Sequence, residues 1–283
     1  MAITNITVIG GGTMGNGIAH VAAQHGHNVT LVDVSDAALQ KALGTVTANL
    51  DRQVKKEVLT QADRDATLAR ISTNTSLEEG AKGADLVVEA ASERLEIKQQ
   101  IFATLDAVCK PECILASNTS SISITTLAGG TKRADRFIGM HFFNPVPVMK
   151  LCEIIRGLAT SDETYAEIKA LAAALGKTPV EVQDYPGFVS NRILMPMINE
   201  AVYCVMEGIA SVEDIDTVMK LGMAHPMGPL ALADFIGLDV CLSIMEVLHD
   251  GLGDSKYRAC PLLRKMVAAG HLGKKSGRGF YSY

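Results

Sequence analysis

A histidine and a glutamate flank a proline-rich turn in the middle of the chain, in the segment HFFNPVPVMKLCE. His141 and Glu153 each lie six residues from Pro147, and apolar stretches on both sides predict two strands. In a symmetric hairpin the two side chains would face each other, with Cβ atoms about 4.5–5.5 Å apart. A carboxylate so placed fixes the tautomer of an imidazole that gives and takes protons. The segment therefore predicts an acid/base pair.

The neighbours of Glu153 favour this pairing. They are apolar in the stretch LCEII, and a carboxylate buried there without a partner would cost several kcal/mol. The alternative for His141 is a core histidine bonded to a backbone carbonyl, which would leave Glu153 without a cation. We therefore expect the two side chains to be in contact.

A glycine motif lies near the N-terminus, between an apolar run and a helical pattern. Gly10, Gly12 and Gly15 fit G-x-G-x-x-G, which supplies a tight turn, room for a pyrophosphate and close packing of helix on strand. Thr13 and Met14 stand where the helix begins, and its unpaired N–H groups favour phosphate. Glycine-rich strand ends are common, so the motif depends on its context.

Asp33 supplies that context. It ends the next apolar run, about 20 residues further on, where a carboxylate can bond both ribose hydroxyls of adenosine. Its negative charge would face a 2′-phosphate, so it favours NAD over NADP. The alternative is an ordinary helix-capping aspartate.

Two further polar groups follow predicted strands. Glu93 comes after the apolar run 85–91, and the segment 117–121, SNTSS, follows the apolar run 113–116. Open α/β sheets bind ligands at the carboxyl ends of their strands, although helix caps have similar sequences.

A basic cluster, Arg52, Lys55 and Lys56, lies on a predicted helical pair inserted between strands. Ser35 is expected to cap the first helix, which runs towards Leu50, and a capping box at 60–63 begins the second, which reaches about residue 71. The cluster is either a solvated helix face or a site for a substrate that carries phosphates.

The order of elements predicts two domains. Strands alternate with helices up to residue 185, which is typical of a parallel sheet, and residues 186–283 show helical patterns until the last residues. The predicted helices at 188–206 and 229–248 are very apolar, which favours burial in a homodimer. The glycine-rich basic tail at 273–280 is more typical of a solvated turn than of a site.

Composition narrows the class of protein. The 283 residues are 48% apolar and 20% charged, which indicates a globular protein. A net charge of −5 provides no basic surface for nucleic acid. The six cysteines form no CxxC pair, the N-terminus leads directly into a strand, and no apolar run is long enough to span a bilayer. We expect reduced thiols, a cytoplasmic location, no membrane partner and no metal site.

These segments together resemble the L-3-hydroxyacyl-CoA dehydrogenase family, and within it the short bacterial 3-hydroxybutyryl-CoA dehydrogenases. The similarity covers the whole chain, and its most specific parts are HFFNPVPVMKL and NTSS. Further matching segments are VIGGGTMGNGIA at 8–19, VVEAASE at 87–93, PGFVSNRIL at 186–194, HPMGPLALADFIGLD at 225–239 and GKKSGRGFYSY at 273–283.

The resemblance implies a fold and a set of site residues. The fold is a Rossmann-like α/β dinucleotide-binding domain (1–185) with an inserted helical pair, followed by an all-α C-terminal substrate and dimerisation domain (186–283). The catalytic residues implied are His141, its partner Glu153, and the substrate-contacting Ser120 and Asn191. The cofactor residues are Gly10, Gly12, Thr13, Met14, Gly15, Asp33, Glu93, Lys98, Ser120, Asn144 and Lys275. The coenzyme A residues lie in the basic cluster of Arg52, Lys55 and Lys56.

The activity implied is NAD-dependent, reversible oxidation of an (S)-3-hydroxyacyl-CoA, with 3-hydroxybutyryl-CoA and acetoacetyl-CoA as the expected pair. Three alternatives stay open at this point. They are a longer or dicarboxylic substrate such as 3-hydroxyadipyl-CoA, a dehydrogenase of free hydroxy acids, and a non-enzymatic NAD-binding protein.

Overall fold

A computed structural model describes residues 3–283, and between Asp184 and Tyr185 they divide into two compact units. The first unit contains one eight-stranded sheet with helices in its connections. Its strands are β1 (Asn5–Ile9), β2 (Asn28–Val32), β3 (Ile71–Asn74), β4 (Leu86–Glu89), β5 (Ile114–Ser117), β6 (Phe137–Phe142), β7 (Leu151–Arg156) and β8 (Thr178–Gln183). Its α-helices are α1 (Thr13–Gln24), α2 (Asp36–Lys55), α3 (Gln61–Ala69), α4 (Leu77–Ala81), α5 (Leu95–Val108), α6 (Ile124–Ala128) and α7 (Asp162–Ala174).

The strand order is β3-β2-β1-β4-β5-β6-β7-β8. Adjacent strands are parallel except β6 and β7, which pair antiparallel. The central strands are buried and apolar because helices cover both faces of such a sheet. The carboxyl ends of β1, β2, β4, β5 and β6 therefore share one edge, which we call the site edge.

Local capping agrees with the sequence. The Ser35 side chain accepts a hydrogen bond from the Ala38 N–H at the start of α2, and Thr60 and Asp63 form a reciprocal capping box on α3. Both predicted caps are thus confirmed.

The structure refines two approximate helix ends in the first unit and adds one strand that was not predicted. The helix expected to reach residue 71 ends at Ala69, and the next residues form the edge strand β3. The ISTN sequence of β3 gave no signal because its side chains are only partly buried and mostly polar. The first inserted helix continues past Leu50 to Lys55, so the basic cluster lies at its C-terminal end.

The second unit is helical. Its α-helices are α8 (Ser190–Met206), α9 (Val212–Gly222), α10 (Pro229–Ile236), α11 (Leu238–Leu252) and α12 (Pro261–Ala268). The helix predicted from residue 188 begins at Ser190, since Phe188 has φ of 50°. The helix predicted at 229–248 is two helices, because Gly237 between them has φ of 106°. None of the helices in residues 3–283 is long and apolar enough to cross a membrane.

Two buried carboxylates of the second unit bind its C-terminal segment. Asp216 Oδ2 accepts a hydrogen bond from the Tyr281 hydroxyl at 2.8 Å. Asp234 accepts from the backbone N–H groups of Phe280 and Tyr281, each at 2.9 Å, and from the Tyr283 hydroxyl at 3.2 Å. Residues 280–283, which we call the anchored tail, are therefore held in this unit, whereas residues 274–278 are exposed, as expected for a solvated turn.

Candidate active site

His141 and Glu153 are directly opposite each other on β6 and β7, as the hairpin argument predicted. His141 Nδ1 lies 2.7 Å from Glu153 Oε2, and the two residues are only 7% and 2% exposed. The carboxylate thus holds the Nδ1–H tautomer, which leaves Nε2 as the nitrogen that can take up and return a proton. The geometry is that of an oriented general acid/base.

The glycine turn after β1 has the shape that the sequence predicted. Gly10 has φ of 100°, and a Cβ there would lie 2.7 Å from the carbonyl oxygen of Ala90. A Cβ on Gly15 would overlap the carbonyl oxygen of Gly10, whereas one on Gly12 would meet nothing within 4 Å. Helix α1 begins at Thr13 without a side-chain cap on its N–H groups. A dinucleotide pyrophosphate fits this open, donor-rich turn.

Asp33 lies beside this turn, immediately after β2. Its Oδ2 accepts a hydrogen bond from the Gly11 N–H at 2.7 Å. Asp33 also lines a cleft of about 490 Å³ together with Thr13 and Asn144. The structure therefore brings the glycine turn, the acidic residue and the start of the proline-rich turn into one cleft, and these residues fit a dinucleotide.

A second acid, Glu89, was not identified from the sequence. It ends β4, is fully buried, and its Oε1 lies 2.7 Å from Lys98 Nζ. Its other oxygen accepts from the Ser117 hydroxyl at 2.6 Å, and Lys98 also reaches Glu93 Oε2 at 3.2 Å. The signal was available, because a glutamate inside an apolar strand requires a cationic partner as much as Glu153 does.

Glu93 organises the hydroxyl-rich segment that follows β5. Its Oε1 accepts from the Thr119 hydroxyl at 2.5 Å, from the Ser120 N–H at 3.0 Å and from the Ser121 hydroxyl at 3.0 Å. Partial burial raises the pKa of Glu93, but the Lys98 ammonium and the hydrogen bonds from Thr119 and Ser120 outweigh it and lower this pKa below its usual value. Glu93 is therefore held as an anion at the site edge.

Asn118 connects this segment to β6, the strand that contains His141, and was not singled out from the sequence. Its Oδ1 accepts a hydrogen bond from the Phe142 N–H at 2.9 Å, one residue after His141. Its own N–H donates to the Glu89 carbonyl at 2.8 Å. Asn118 thus fixes the position of the segment 117–121 relative to the acid/base pair.

The basic cluster is only partly assembled. Arg52 and Lys56 line a cleft of about 330 Å³ with Pro147 and Val148, whereas Lys55 is exposed and does not line it. The Arg52 guanidinium also hydrogen-bonds the Asn49 side chain within α2. Two of the three predicted coenzyme A residues therefore share one cleft with the proline-rich turn.

Three other predicted residues lie elsewhere. Met14 is half-buried and packs against the core of the first unit. Asn191 is a buried residue of α8 in the second unit. Lys275, also in the second unit, has its ammonium 2.7 Å from Asp239 Oδ2. Roles for these three in ligand binding stay predictions.

Comparison with known proteins identifies both units. Residues 5–185 match the family model described as the NAD binding domain of 3-hydroxyacyl-CoA dehydrogenase, and residues 187–283 match that of its C-terminal domain. A Bacillus subtilis protein described as a probable 3-hydroxybutyryl-CoA dehydrogenase is 60% identical, with 100% of this chain and 98% of that protein covered. A 3-hydroxybutyryl-CoA dehydrogenase of Bradyrhizobium diazoefficiens is 57% identical, over 99% and 96% of the two chains.

Among solved structures, the crystal structure of (S)-3-hydroxybutyryl-CoA dehydrogenase from Ralstonia eutropha superposes with a TM-score of 0.97 at 57% identity, and covers 100% of this chain and 99% of that one. The predicted Rossmann-like α/β fold followed by a helical C-terminal region is confirmed. The matches span the glycine turn, the acid/base hairpin and the anchored tail, so the chain belongs to the 3-hydroxyacyl-CoA dehydrogenase family.

Proposed function

We propose that this chain catalyses the NAD-dependent, reversible oxidation of (S)-3-hydroxyacyl-CoA thioesters to 3-oxoacyl-CoA, with 3-hydroxybutyryl-CoA and acetoacetyl-CoA as the substrate pair. The observation that carries the proposal is the buried His141–Glu153 pair at the site edge. His141 lies three residues before Asn144, which lines the cleft beside the glycine turn and Asp33; we call this the nucleotide cleft. The names of the relatives support the thioester class and the short acyl chain.

In the oxidation, His141 takes the proton of the 3-hydroxyl group while the C3–H bond breaks. Bound NAD supplies the hydride acceptor, and in the reverse direction NADH supplies the hydride donor. Glu153 stabilises the imidazolium that forms on His141 and keeps Nε2 directed to the substrate. In reduction the same imidazolium returns the proton to the nascent alkoxide.

The remaining predicted residues orient the ligands. Ser120 and Asn191 are proposed to hydrogen-bond the substrate oxygen atoms. The cofactor is proposed to be held by the glycine turn with Thr13 and Met14, by Asp33 at the ribose, and by Asn144, Glu93 and Lys275. Lys98 is only 1% exposed and paired with Glu89 and Glu93, so we assign it to fixing Glu93.

Arg52 and Lys56 are proposed to bind the 3′-phosphate of coenzyme A, because they are the cations that line the second cleft. Lys55 lies on the same helix end and adds to the local positive potential. The protein is proposed to act in the cytoplasm.

A homodimer through the helical unit is part of the proposal. Large apolar side chains stand exposed on its helices, and burying them would stabilise association. They include Ile193, Val218, Leu221 and Phe235 on the helices, and the connections next to the helices add Ile209 and Met223.

The test is NADH oxidation with matched substrates. Acetoacetyl-CoA should turn over, free acetoacetate should not, and NADPH should replace NADH poorly because Asp33 opposes a 2′-phosphate. Replacing Arg52 and Lys56 with alanine should raise KM for acetoacetyl-CoA with little change in kcat.

Turnover of free acids at comparable kcat/KM would favour a hydroxy-acid dehydrogenase, and a higher kcat/KM with 3-oxoadipyl-CoA would favour the dicarboxylic alternative. NADH binding without turnover of any of these would favour the non-enzymatic reading.

A further inference from the structure

Lys177 is a buried cation with no role in the chemistry proposed above. It immediately precedes β8, is 8% exposed, and its Nζ donates to the carbonyl oxygens of Val146 at 2.5 Å and Met149 at 2.8 Å. Within residues 3–283, no carboxylate lies within 4 Å of this ammonium. Burial lowers the pKa of Lys177. A methionine would fill the same space without the desolvation cost, so the two carbonyl bonds are what this lysine contributes.

Both carbonyls belong to the proline-rich turn described above, between β6 and β7. Its residues are 143–150, and we call it the proline turn from here on. Pro145 and Pro147 line the nucleotide cleft and also the cleft that contains Arg52 and Lys56. The proline turn is therefore a wall common to both clefts, and a shift of its backbone would change both.

The proline turn is held between α1 and Lys177. On one side Val146 packs on Gly17, where a Cβ would lie 2.8 Å from the Val146 Cβ. Within the turn, the N–H groups of Val148 and Met149 both donate to the Pro145 carbonyl at 2.9 Å. Lys177 reaches two further carbonyls of this turn, at Val146 and Met149. Without the ammonium these two oxygens would lose their donor.

We propose that Lys177 is a positioning residue that fixes the proline turn and thereby sets the affinity for both ligands that carry an adenine nucleotide, the dinucleotide and the coenzyme A thioester. The inference rests on the proposed function for the identity of the thioester. Lys177 acts through the turn and contacts neither ligand. It does not set the orientation of His141, which the β6–β7 pairing and Glu153 hold.

The experiment compares wild type with Lys177→Met. Loss of two charge-assisted bonds should raise KM for NADH and for acetoacetyl-CoA, each by about tenfold. The value of kcat should fall by less than about threefold, because the acid/base pair remains in register. The dissociation constant of NADH, measured by fluorescence titration without substrate, should rise by the same factor as its KM.

Arg133 provides a matched control. Its guanidinium donates to the carbonyls of Lys110 at 2.6 Å and Asp106 at 2.9 Å, between α5 and β5, at the sheet edge opposite the site edge, and it also pairs with the Asp106 carboxylate at 2.8 Å. Arg133→Met removes a cation from backbone carbonyls and also from one carboxylate, so it should lower Tm at least as much as Lys177→Met, but it should leave both KM values unchanged. Lys177→Arg keeps the donors and should restore most of the affinity.

The outcomes separate clearly. KM values for both ligands within twofold of wild type in Lys177→Met would overturn the inference, as would an equal rise in Arg133→Met. If Lys177→Met does not fold, Lys177→Gln keeps one donor and should show an intermediate NADH dissociation constant; an unchanged constant would overturn the inference. If the wild type does not reduce acetoacetyl-CoA, the proposed function fails, whereas the NADH titration still decides the role of Lys177.

Discussion

Two buried glutamates of the sheet make the same contact with different consequences. Glu153 and Glu89 are 2% and 0% exposed, and each has a side-chain nitrogen 2.7 Å from one of its oxygens. The nitrogen next to Glu153 belongs to an imidazole, whose second nitrogen can take up and return a proton, whereas Glu89 faces an ammonium. The partner therefore determines what a buried carboxylate can do. Beside an imidazole it can support proton transfer, and beside an ammonium it forms a permanent ion pair.

The largest effect should come from removing the proton carrier. His141→Gln should lower kcat by about 10²–10⁴-fold, the usual contribution of a positioned general acid/base. NADH affinity, measured by fluorescence titration, should remain close to wild type because the glycine turn is untouched. A decrease in kcat of less than about threefold would show that His141 is not the general acid/base. The His141–Glu153 and Lys98–Glu89 pairs would then no longer differ in function.

Breaking the other pair should act on stability. Lys98→Met leaves Glu89 buried with only neutral donors and should lower the free energy of unfolding of the ligand-free protein by about 3–5 kcal/mol. Chemical denaturation monitored by circular dichroism measures this.

The matched control is the double variant Lys98→Met with Glu89→Gln, which removes both charges. It should recover a large part of the lost stability, because the cost comes from an uncompensated buried anion. If the single and double variants were equally unstable, Lys98 would act by packing instead of by charge.

Glu153→Gln tests the contrast between Glu153 and Glu89, because it should lower kcat and leave the stability of the fold unchanged. Without the carboxylate charge the imidazolium on His141 is less stable, and kcat should fall by about tenfold to a hundredfold. The melting temperature should stay near that of wild type. A kcat and a pH–rate profile that both match wild type would show that Glu153 has no part in proton transfer.

The smallest effect concerns Glu93, the exposed neighbour of the fixed pair. Its pKa is lowered in the folded state, so its stabilising contribution is present above its usual pKa of 4.5 and is lost as the pH falls through the lower folded value. Glu93→Gln should therefore cost no more than about 1 kcal/mol at pH 7, since solvent screens a side chain this exposed. The difference between variant and wild type should shrink towards pH 3; a constant difference would argue against a charge effect.

These pairs also show where the sequence was informative. His141 and Glu153 could be located because a carboxylate in an apolar strand needs a cation and a proline turn set the register. The same argument applies to Glu89, but its partner Lys98 lies on a helix. Strand register pairs residues on neighbouring strands and does not indicate which helix side chain contacts the sheet.

Other features had no local signal. Lys177 follows Gly176 in a short connection, and only the folded sheet places it beneath the proline turn. Asn118 could not be distinguished from an ordinary helix cap, because its acceptor bond is to a backbone 24 residues away. The strand β3 was missed since an edge strand with mostly polar side chains shows neither alternation nor a continuous apolar run.

The anchored tail has a genetic consequence. A premature stop codon at position 280 would delete all three hydrogen-bond donors of Asp234 and the tyrosine that reaches Asp216. Asp216 would keep the N–H groups of Leu230 and Ala231 as donors, whereas the buried Asp234 would lose its donors, so such a short truncation would act like a charge introduced into the core at Asp234. Alleles that lose the last four codons should therefore behave as loss-of-abundance alleles, although the deletion removes none of the residues proposed to be catalytic.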